Sequence, residues 1–142
     1  MTIKAILQSK GNEVLSISGN ATVGEAVALL AEKRIGALPV IDGGKVQGIF
    51  SERDVIYGLA RNGAAVLDAR VSDVMISPAI TVEPGEAVIG ALSLMTRRRI
   101  RHLPVIEGGQ AVGFVSIGDL VKYRIDRIEA EAAAMRDYIQ SA

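Results

Sequence analysis

The 142-residue sequence contains no cysteine, no tryptophan and a single histidine. The absence of cysteine excludes disulfides, thiolate metal sites and a cysteine nucleophile, and one histidine cannot build a multi-histidine metal centre. Basic and acidic residues number 16 each, so no overall charge favours nucleic acid. No apolar run approaches the roughly 20 residues that a membrane helix needs. The N-terminal apolar stretch is too short for a signal peptide, and we expect a cytoplasmic protein without a membrane partner.

The sequence does contain an internal repeat. Residues 15–57 align without a gap on residues 80–122, a shift of 65, and 14 of the 43 paired positions are identical. A duplication of this kind usually packs about a pseudo-twofold axis, and clefts at such an interface come in pairs. We predict a first repeat with its lead-in over 1–65, a second repeat with the linker over 66–122, and a C-terminal helical extension over 123–142.

Each repeat is predicted to have the element order β-α-β-β-α, which places the fold in the α/β (α+β) class. In the first repeat we expect a strand at 15–17 and a helix that begins with a capping box at Thr22 and ends near Arg34. A hairpin that turns at 42–45 and a helix over 52–61 follow. The second repeat repeats this order with a strand at 80–82, a helix over 86–98 and a hairpin turn at 107–110.

The last helix, predicted over 119–140, is longer than its counterpart in the first repeat. Its apolar residues recur every three or four positions, in a pattern that resembles a heptad seam. A helix lying on its own domain would show the same stripe, but the length favours a partner chain. We therefore predict a homodimer. The residues of the seam are Val121, Ile125, Ile128, Ala132, Met135 and Ile139.

A Gly-x-x-Ser-x-x-Asp stretch occurs twice, at residues 48–54 and 113–119. Ser-x-x-Asp is a routine helix N-cap, so one copy alone would carry no functional meaning. Two copies at equal distances from a proline-containing hairpin are harder to dismiss. An ionised carboxylate accepts hydrogen bonds and repels phosphate, so Asp54 and Asp119 suit the two donors of a ribose 2′,3′-diol.

Each repeat resembles a cystathionine-β-synthase (CBS) domain, and the pair resembles a CBS-pair or Bateman module over roughly residues 1–125. The resemblance is carried by the two Leu-Pro-Val-Ile-acidic-Gly-Gly runs, 38–44 and 103–109, and by the two Ser-x-x-Asp stretches. It implies repeats packed through their sheets, with two clefts that bind adenine nucleotides.

The resemblance also implies roles for individual residues. Asp54 and Asp119 would hold the ribose hydroxyls, with Ser51 and Ser116 near the sugar or phosphate. Adenine would lie against the segment that leads into each repeat and the residues just before each proline. These are Val14, Leu15, Ile35 and Gly36 in one half, and Pro78, Ile80, Ile100 and Arg101 in the other.

The halves differ most where residues 97–102 of the second repeat read Arg-Arg-Arg-Ile-Arg-His. Cations are favoured at a helix C-terminus, which accounts for the first arginines. Arg101 and His102 instead lie beside the expected cleft, and the resemblance implies that Arg101 reaches a phosphate in the Asp54 cleft.

The Asp119 cleft would face Gly36 and Ala37, which offer no cation. We therefore expect this cleft to favour ligands of lower charge or to stay empty. In a dimer, a partner subunit could bring Arg53 or Arg99 to either cleft and blur the contrast.

The favoured function is an adenine-nucleotide-binding regulatory module without a metal, which signals to an unknown effector protein. AMP or ADP is the first expectation, and ATP or NAD(H) the next. An alternative is a structural or interaction module with vestigial pockets. A nucleotide-processing enzyme is disfavoured, because the sequence shows no nucleophile–base pair and no separated acid and base carboxylates. Nucleic-acid binding through the arginine run is a minor alternative, marked by steep salt dependence.

Overall fold

Each repeat is built on a two-stranded antiparallel hairpin. The computed structural model describes residues 1–11 and 13–141. The first hairpin pairs β1 (Ala37–Asp42) with β2 (Lys45–Ser51), and the second pairs β3 (His102–Glu107) with β4 (Gln110–Ser116). The helices are α1 (Ile3–Lys10), α2 (Val23–Lys33), α3 (Glu52–Asn62), α4 (Val71–Val74), α5 (Val88–Arg98) and α6 (Ile117–Ser141), with a 3₁₀ helix over Gly63–Asp68.

Both hairpin turns are formed by a pair of glycines with positive φ. Gly43 and Gly44 have φ values of 60° and 79°, and Gly108 and Gly109 repeat them at 60° and 78°. Two-residue turns of this hand match the right-handed twist of the flanking strands, and glycine adopts them without steric cost. The predicted hairpins are confirmed, with strands slightly longer than the sequence indicated.

The first strand of each repeat is shorter than predicted. Residues 15–17 contribute only a parallel bridge between Ile17 and Val40, and 80–82 only a bridge between Val82 and Val105. Ile17 N donates to the carbonyl of Pro39 at 3.2 Å, but the ladder cannot extend toward residue 15. The donor needed there would be the N–H of Pro39, which proline lacks.

The repeat helices follow their predicted bounds, with one exception. Thr22 Oγ1 accepts from the Glu25 amide at 3.1 Å, which is one of the two hydrogen bonds of the predicted capping box. Helix α2 ends at Lys33, and its C-cap residue Arg34 has a left-handed φ of 53°. Helix α5 begins at Val88 rather than at the predicted residue 86. Residues 83–86 form a turn, in which Glu86 N donates to the Glu83 carbonyl at 3.1 Å.

The segment that leads into each repeat packs on the other repeat. Helix α1, which the sequence analysis did not predict, buries Ile3, Ile6 and Leu7 in the apolar core of the second repeat. The linker helix α4 buries Val71 in the core of the first repeat. The division into repeats between residues 65 and 66 stays a prediction, and packing contacts cross it in both directions.

The two lead-in segments, which contain α1 and α4, are held on the opposite repeats by matching backbone hydrogen bonds. Ile3 N donates to the Glu86 carbonyl at 2.9 Å, and Val71 N donates to the Ala21 carbonyl at 2.9 Å. Ile3 and Val71 are 68 residues apart, whereas Ala21 and Glu86 are 65 apart. The lead-in segments are therefore part of the duplication. They correspond at a shift of 68 residues, three more than the shift that aligns the repeats.

The glycine of each Gly-x-x-Ser-x-x-Asp stretch lies where a lead-in segment crosses the hairpin. A Cβ on Gly48 would lie 2.5 Å from the backbone carbonyl oxygen of Ile76. A Cβ on Gly113 would lie 2.5 Å from Cδ2 of the Leu7 side chain. Contact with backbone cannot be relieved by a rotamer change, whereas a leucine terminus can move.

We predict that Gly48→Ala destabilises the protein more than Gly113→Ala does. Overpacking against fixed backbone should lower the free energy of unfolding by roughly 1–3 kcal/mol at Gly48. Gly113→Ala is the matched control, because Leu7 can adjust. Urea denaturation of both variants measures the difference. Equal losses would contradict the role assigned to the Ile76 carbonyl.

Helix α6 extends well beyond the repeats and keeps its apolar seam exposed. It spans 25 residues, and Ile125, Ile128 and Met135 are 48%, 50% and 60% exposed. The predicted helix is confirmed, and its seam does not lie on the helix's own domain. Among the described residues, no helix combines the length and apolarity needed to cross a membrane.

Candidate functional site

Each Ser-x-x-Asp stretch closes the N-terminus of a helix, α3 in the first repeat and α6 in the second. Ser51 N donates to Asp54 Oδ2 at 2.9 Å, and Ser116 N donates to Asp119 Oδ2 at 2.8 Å. Both aspartates therefore act as capping residues. In the described part of the chain, Oδ1 of each carboxylate has no hydrogen-bond donor, so each keeps one free acceptor of fixed orientation.

The segments that precede β1 and β3 are tied to the same helix ends. Glu52 N donates to the Gly36 carbonyl at 3.0 Å, and Ile117 N donates to the Arg101 carbonyl at 2.8 Å. These bonds place the predicted residues 35–36 and 100–101 beside the capped aspartates. They also satisfy amides that a helix N-terminus would otherwise leave free.

The two repeats approach one another at these segments. A Cβ on Gly36 would lie 2.6 Å from Glu52 Oε1 and 3.9 Å from Cε1 of His102. His102 therefore lies against the first repeat, although it begins β3 of the second. At the other end of the hairpins, Ala111 N donates to the Gly44 carbonyl at 3.4 Å.

The side chains of the remaining predicted residues are all at least partly exposed. Leu15 and Ile35 are each 36% exposed. The side chains of Arg53, Arg101 and Pro78 are exposed, and those of Val14, Ile80, Ile100, His102, Ser51 and Ser116 are partly buried.

A cavity of about 530 Å³ lies between α2, the following loop and the first turns of α3. Ile35 and Gly36 belong to its wall, but Asp54 does not. The rest of the wall is mostly apolar, including Val55 and Ile56. Its volume lies in the range of small-molecule sites, but without the carboxylate this cavity alone does not define a ribose pocket.

Lys10 distinguishes the second site and was missed in the sequence analysis. Its ammonium lies 2.7 Å from Asp119 Oδ2 and 2.7 Å from the carbonyl oxygen of Phe114. The Phe114 ring in turn stacks on His102, with centroids 5.5 Å apart. The expectation that the Asp119 side offers no cation overlooked this residue, because α1 reaches it only through the crossed packing.

The two carboxylates have opposite pKa shifts. Burial raises the pKa of Asp54 above 3.8, and this effect outweighs the hydrogen bonds from Ser51 and the nearby charge of Arg53. Burial would also raise the pKa of Asp119, but the hydrogen bonds from Lys10 and Ser116 and the lysine charge together hold it below 3.8. Partial burial, followed by the charge of Lys10, lowers the pKa of His102 below 6.5.

We predict that the two aspartates titrate on opposite sides of pH 3.8 in the folded protein. Asp119 should stabilise the fold above pH 3.8 and lose that contribution as the pH falls through its lowered pKa. Asp54 should contribute more as the pH falls through its raised pKa, because burial disfavours its ionised form. Carboxyl-detected NMR titration measures both groups. Coincident titrations would contradict the asymmetry.

Two hairpin repeats with crossed lead-in segments and two capped aspartates define a tandem-repeat module of the kind that pairs two copies of one small domain. The family model for the CBS domain matches residues 4–61 and 71–126. The chain therefore belongs to the CBS-domain family, as the motifs indicated, and its fold is that of a CBS-domain pair.

Relatives of known sequence match nearly the whole chain. The mitochondrial CBS domain-containing protein CBSX3 of Arabidopsis thaliana is 35% identical over 148 residues, which cover 98% of this chain and 72% of that protein. The CBS domain-containing protein YhcV of Bacillus subtilis is 28% identical over 92% of this chain and 93% of its own length. The second relative therefore consists almost entirely of the same paired repeat.

Solved structures agree with this assignment. A CBS-domain protein of Agrobacterium tumefaciens superimposes with a TM-score of 0.83 at 38% identity, covering 87% of this chain and 92% of that one. The CBS-domain pair of protein MJ0100, solved with 5′-methylthioadenosine and S-adenosyl-L-methionine, has a TM-score of 0.78 at 25% identity over 89% and 98% of the chains. A hexameric CBS-CP12 protein from cyanobacteria has a TM-score of 0.73 at 29% identity over 96% and 86%.

Proposed function

We propose that the protein is a cytoplasmic regulatory module that binds adenine nucleotides in two clefts between its repeats. The observation that carries the proposal is the pair of capped aspartates, Asp54 and Asp119, each with one free carboxylate oxygen beside a strand-leading segment. A capped carboxylate is held in place before the ligand arrives, so a ribose diol would find its acceptor already oriented.

The adenosine part of the ligand has the stronger support. The two ligands of the MJ0100 pair both contain an adenosine-type ribose with free 2′ and 3′ hydroxyls. They support binding of an adenosine-containing ligand and leave its phosphates open. AMP or ADP is our first choice for this chain, with ATP or NAD(H) as alternatives, and no metal is required.

Arg101 is the proposed phosphate cation of the Asp54 cleft. Its carbonyl is fixed by the Ile117 amide at 2.8 Å, while its side chain is exposed and free to reach a ligand. The exposed Arg53, in the first turn of α3, is a further cation near the same carboxylate. Ser51 and Ser116 would lie near the sugar or phosphate, and the exposed Leu15 and Ile35 would cover one face of adenine.

We predict that AMP binds more tightly than 2′-deoxy-AMP, and that Asp54→Asn erases this preference at its own cleft. The amide oxygen can still accept from Ser51, so the cap survives while the charge is lost. Losing a charge-assisted hydrogen bond should weaken AMP binding by roughly 1.5–3 kcal/mol. Isothermal titration calorimetry measures the affinity for AMP and for its deoxy analogue. The control is Asp73→Asn, at an exposed position of the linker helix α4.

Calorimetry can also reject the proposed function. No heat with AMP, ADP, ATP or NADH would favour the alternative of an interaction module with vestigial pockets. Equal affinity for AMP and its deoxy analogue would reject the ribose role of the aspartates while leaving nucleotide binding intact.

The proposed position of the clefts between the repeats supports a regulatory role. A ligand held between two repeats can favour one relative orientation over another, provided that it binds the two arrangements with different affinity. The relatives CBSX3 and YhcV are both named for their CBS domains, which fits a module that binds rather than catalyses. The downstream effector protein would read the orientation. Turnover of the bound nucleotide would instead favour the enzyme alternative.

We also propose that the chain forms a homodimer through its exposed helical faces. The α6 seam and the outer face of α3, where Ile56 is 62% exposed and Tyr57 is 55% exposed, leave large apolar surfaces in water. The cavity between α2 and α3 belongs to the same face. The hexameric CBS-CP12 protein supports assembly of such modules.

We predict that truncation after Lys122 weakens the dimer without unfolding the repeats. The deleted residues carry most of the seam, and both described cores lie outside them except for the partly buried Tyr123. Light scattering at tens of micromolar and circular dichroism measure the two effects. A full-length chain that is already monomeric would contradict the dimer.

A further inference from the structure

Lys10 holds a position that the first repeat does not reproduce. It is the last residue of α1, which spans eight residues, whereas the corresponding helix α4 spans four and ends at Val74. The additional turn of α1 brings the Lys10 ammonium to 2.7 Å from Asp119 Oδ2 and to 2.7 Å from the carbonyl oxygen of Phe114. Asp54 has no salt bridge within the described residues.

The two carboxylates therefore differ in the acceptors that they can offer. Asp119 Oδ2 accepts from Ser116 N at 2.8 Å and from Lys10 at 2.7 Å, which occupies both of its lone pairs. Asp54 Oδ2 accepts from Ser51 N at 2.9 Å and, more weakly, from Ser51 Oγ at 3.2 Å. A hydroxyl can rotate away, so Asp54 can release a lone pair that Asp119 cannot.

We propose, on the basis of the function inferred above, that Lys10 is a built-in competitor for the ribose diol at the Asp119 cleft. A cis-diol that donates one hydroxyl to each carboxylate oxygen must displace the ammonium there, but meets no such competitor at Asp54. The Asp54 cleft consequently fills first, and the Asp119 cleft fills only when the ligand outcompetes an internal ion pair.

The expected size of the effect follows from exposure. The Lys10 and Asp119 side chains are 40% and 28% exposed, so the pair is partly screened by water. Pairs of this kind contribute up to about 1 kcal/mol, which corresponds to about a fivefold change in a dissociation constant.

The test is an adenosine titration of isotope-labelled protein, followed at two backbone amides. Ser51 N and Ser116 N each donate to the aspartate of one cleft, so their NMR shifts report the two sites separately without changing either cap. Adenosine carries no phosphate, so attraction between phosphate and lysine does not enter. In the unaltered protein, the Ser51 amide should respond at lower adenosine concentration than the Ser116 amide.

Lys10→Met removes the ammonium and keeps the aliphatic stem. It should tighten adenosine binding at the Ser116 reporter about fivefold and leave the Ser51 reporter unchanged. Lys10→Arg keeps a cation and should retain the weak second site. Lys4→Met is the matched control on the same helix, since the Lys4 side chain is exposed and in the described residues forms no salt bridge.

Three results would overturn the proposal, and they are distinguishable from failure of the proposed function. If adenosine shifts Ser51 but Lys10→Met leaves Ser116 unchanged, the competitor role is wrong while nucleoside binding stands. If Lys10→Met weakens AMP and spares adenosine at Ser116, Lys10 is a phosphate ligand. If neither amide responds to adenosine or AMP in any variant, the proposed function fails and the competitor role fails with it.

Discussion

The structure depends on a reciprocal exchange of backbone between the repeats. The segment before each repeat donates amides to the opposite one, Ile3 to the Glu86 carbonyl and Val71 to the Ala21 carbonyl, each at 2.9 Å. Because each lead-in segment buries its apolar side chains in the core of the opposite repeat, neither repeat completes its core alone. The pair is consequently the folding unit, and the clefts proposed between the repeats would lie between two mutually dependent halves of one chain.

The exchange of lead-in segments also explains the repeated Gly-x-x-Ser-x-x-Asp motif. The glycine of each Gly-x-x-Ser-x-x-Asp stretch is needed where a lead-in segment crosses the hairpin, against the Ile76 carbonyl at Gly48 and the Leu7 side chain at Gly113. Its serine and aspartate close the next helix through backbone bonds of 2.9 and 2.8 Å. Every fixed residue of the motif thus has a structural role, and Oδ1 is the carboxylate oxygen that the helix caps leave without a donor in the described part of the chain.

Turns and helix caps, which depend on neighbouring residues, were predictable from the sequence, whereas contacts between distant segments were not. The paired glycines of the turns, the Thr22 cap and the Ser-x-x-Asp caps are set by neighbouring residues, and each was found as expected. The predicted strand at 15–17 failed because Pro39, more than 20 residues away, lacks the N–H that would extend it. Lys10 was missed because the repeats align at a shift of 65 residues, whereas the lead-in segments correspond at a shift of 68. A gap-free alignment of the repeats therefore does not relate α1 to α4.

The surroundings of the two motif aspartates differ because the lead-in segments differ. Duplication gives each repeat a capped aspartate, but the helix that the lead-in segment brings beside it spans eight residues in α1 and four in α4. Only the longer helix carries a cation to its carboxylate, and the pKa values of Asp54 and Asp119 shift in opposite directions as a result. The two aspartates of one repeated motif therefore lie in different electrostatic environments, and the difference originates in a segment that lies outside both motifs.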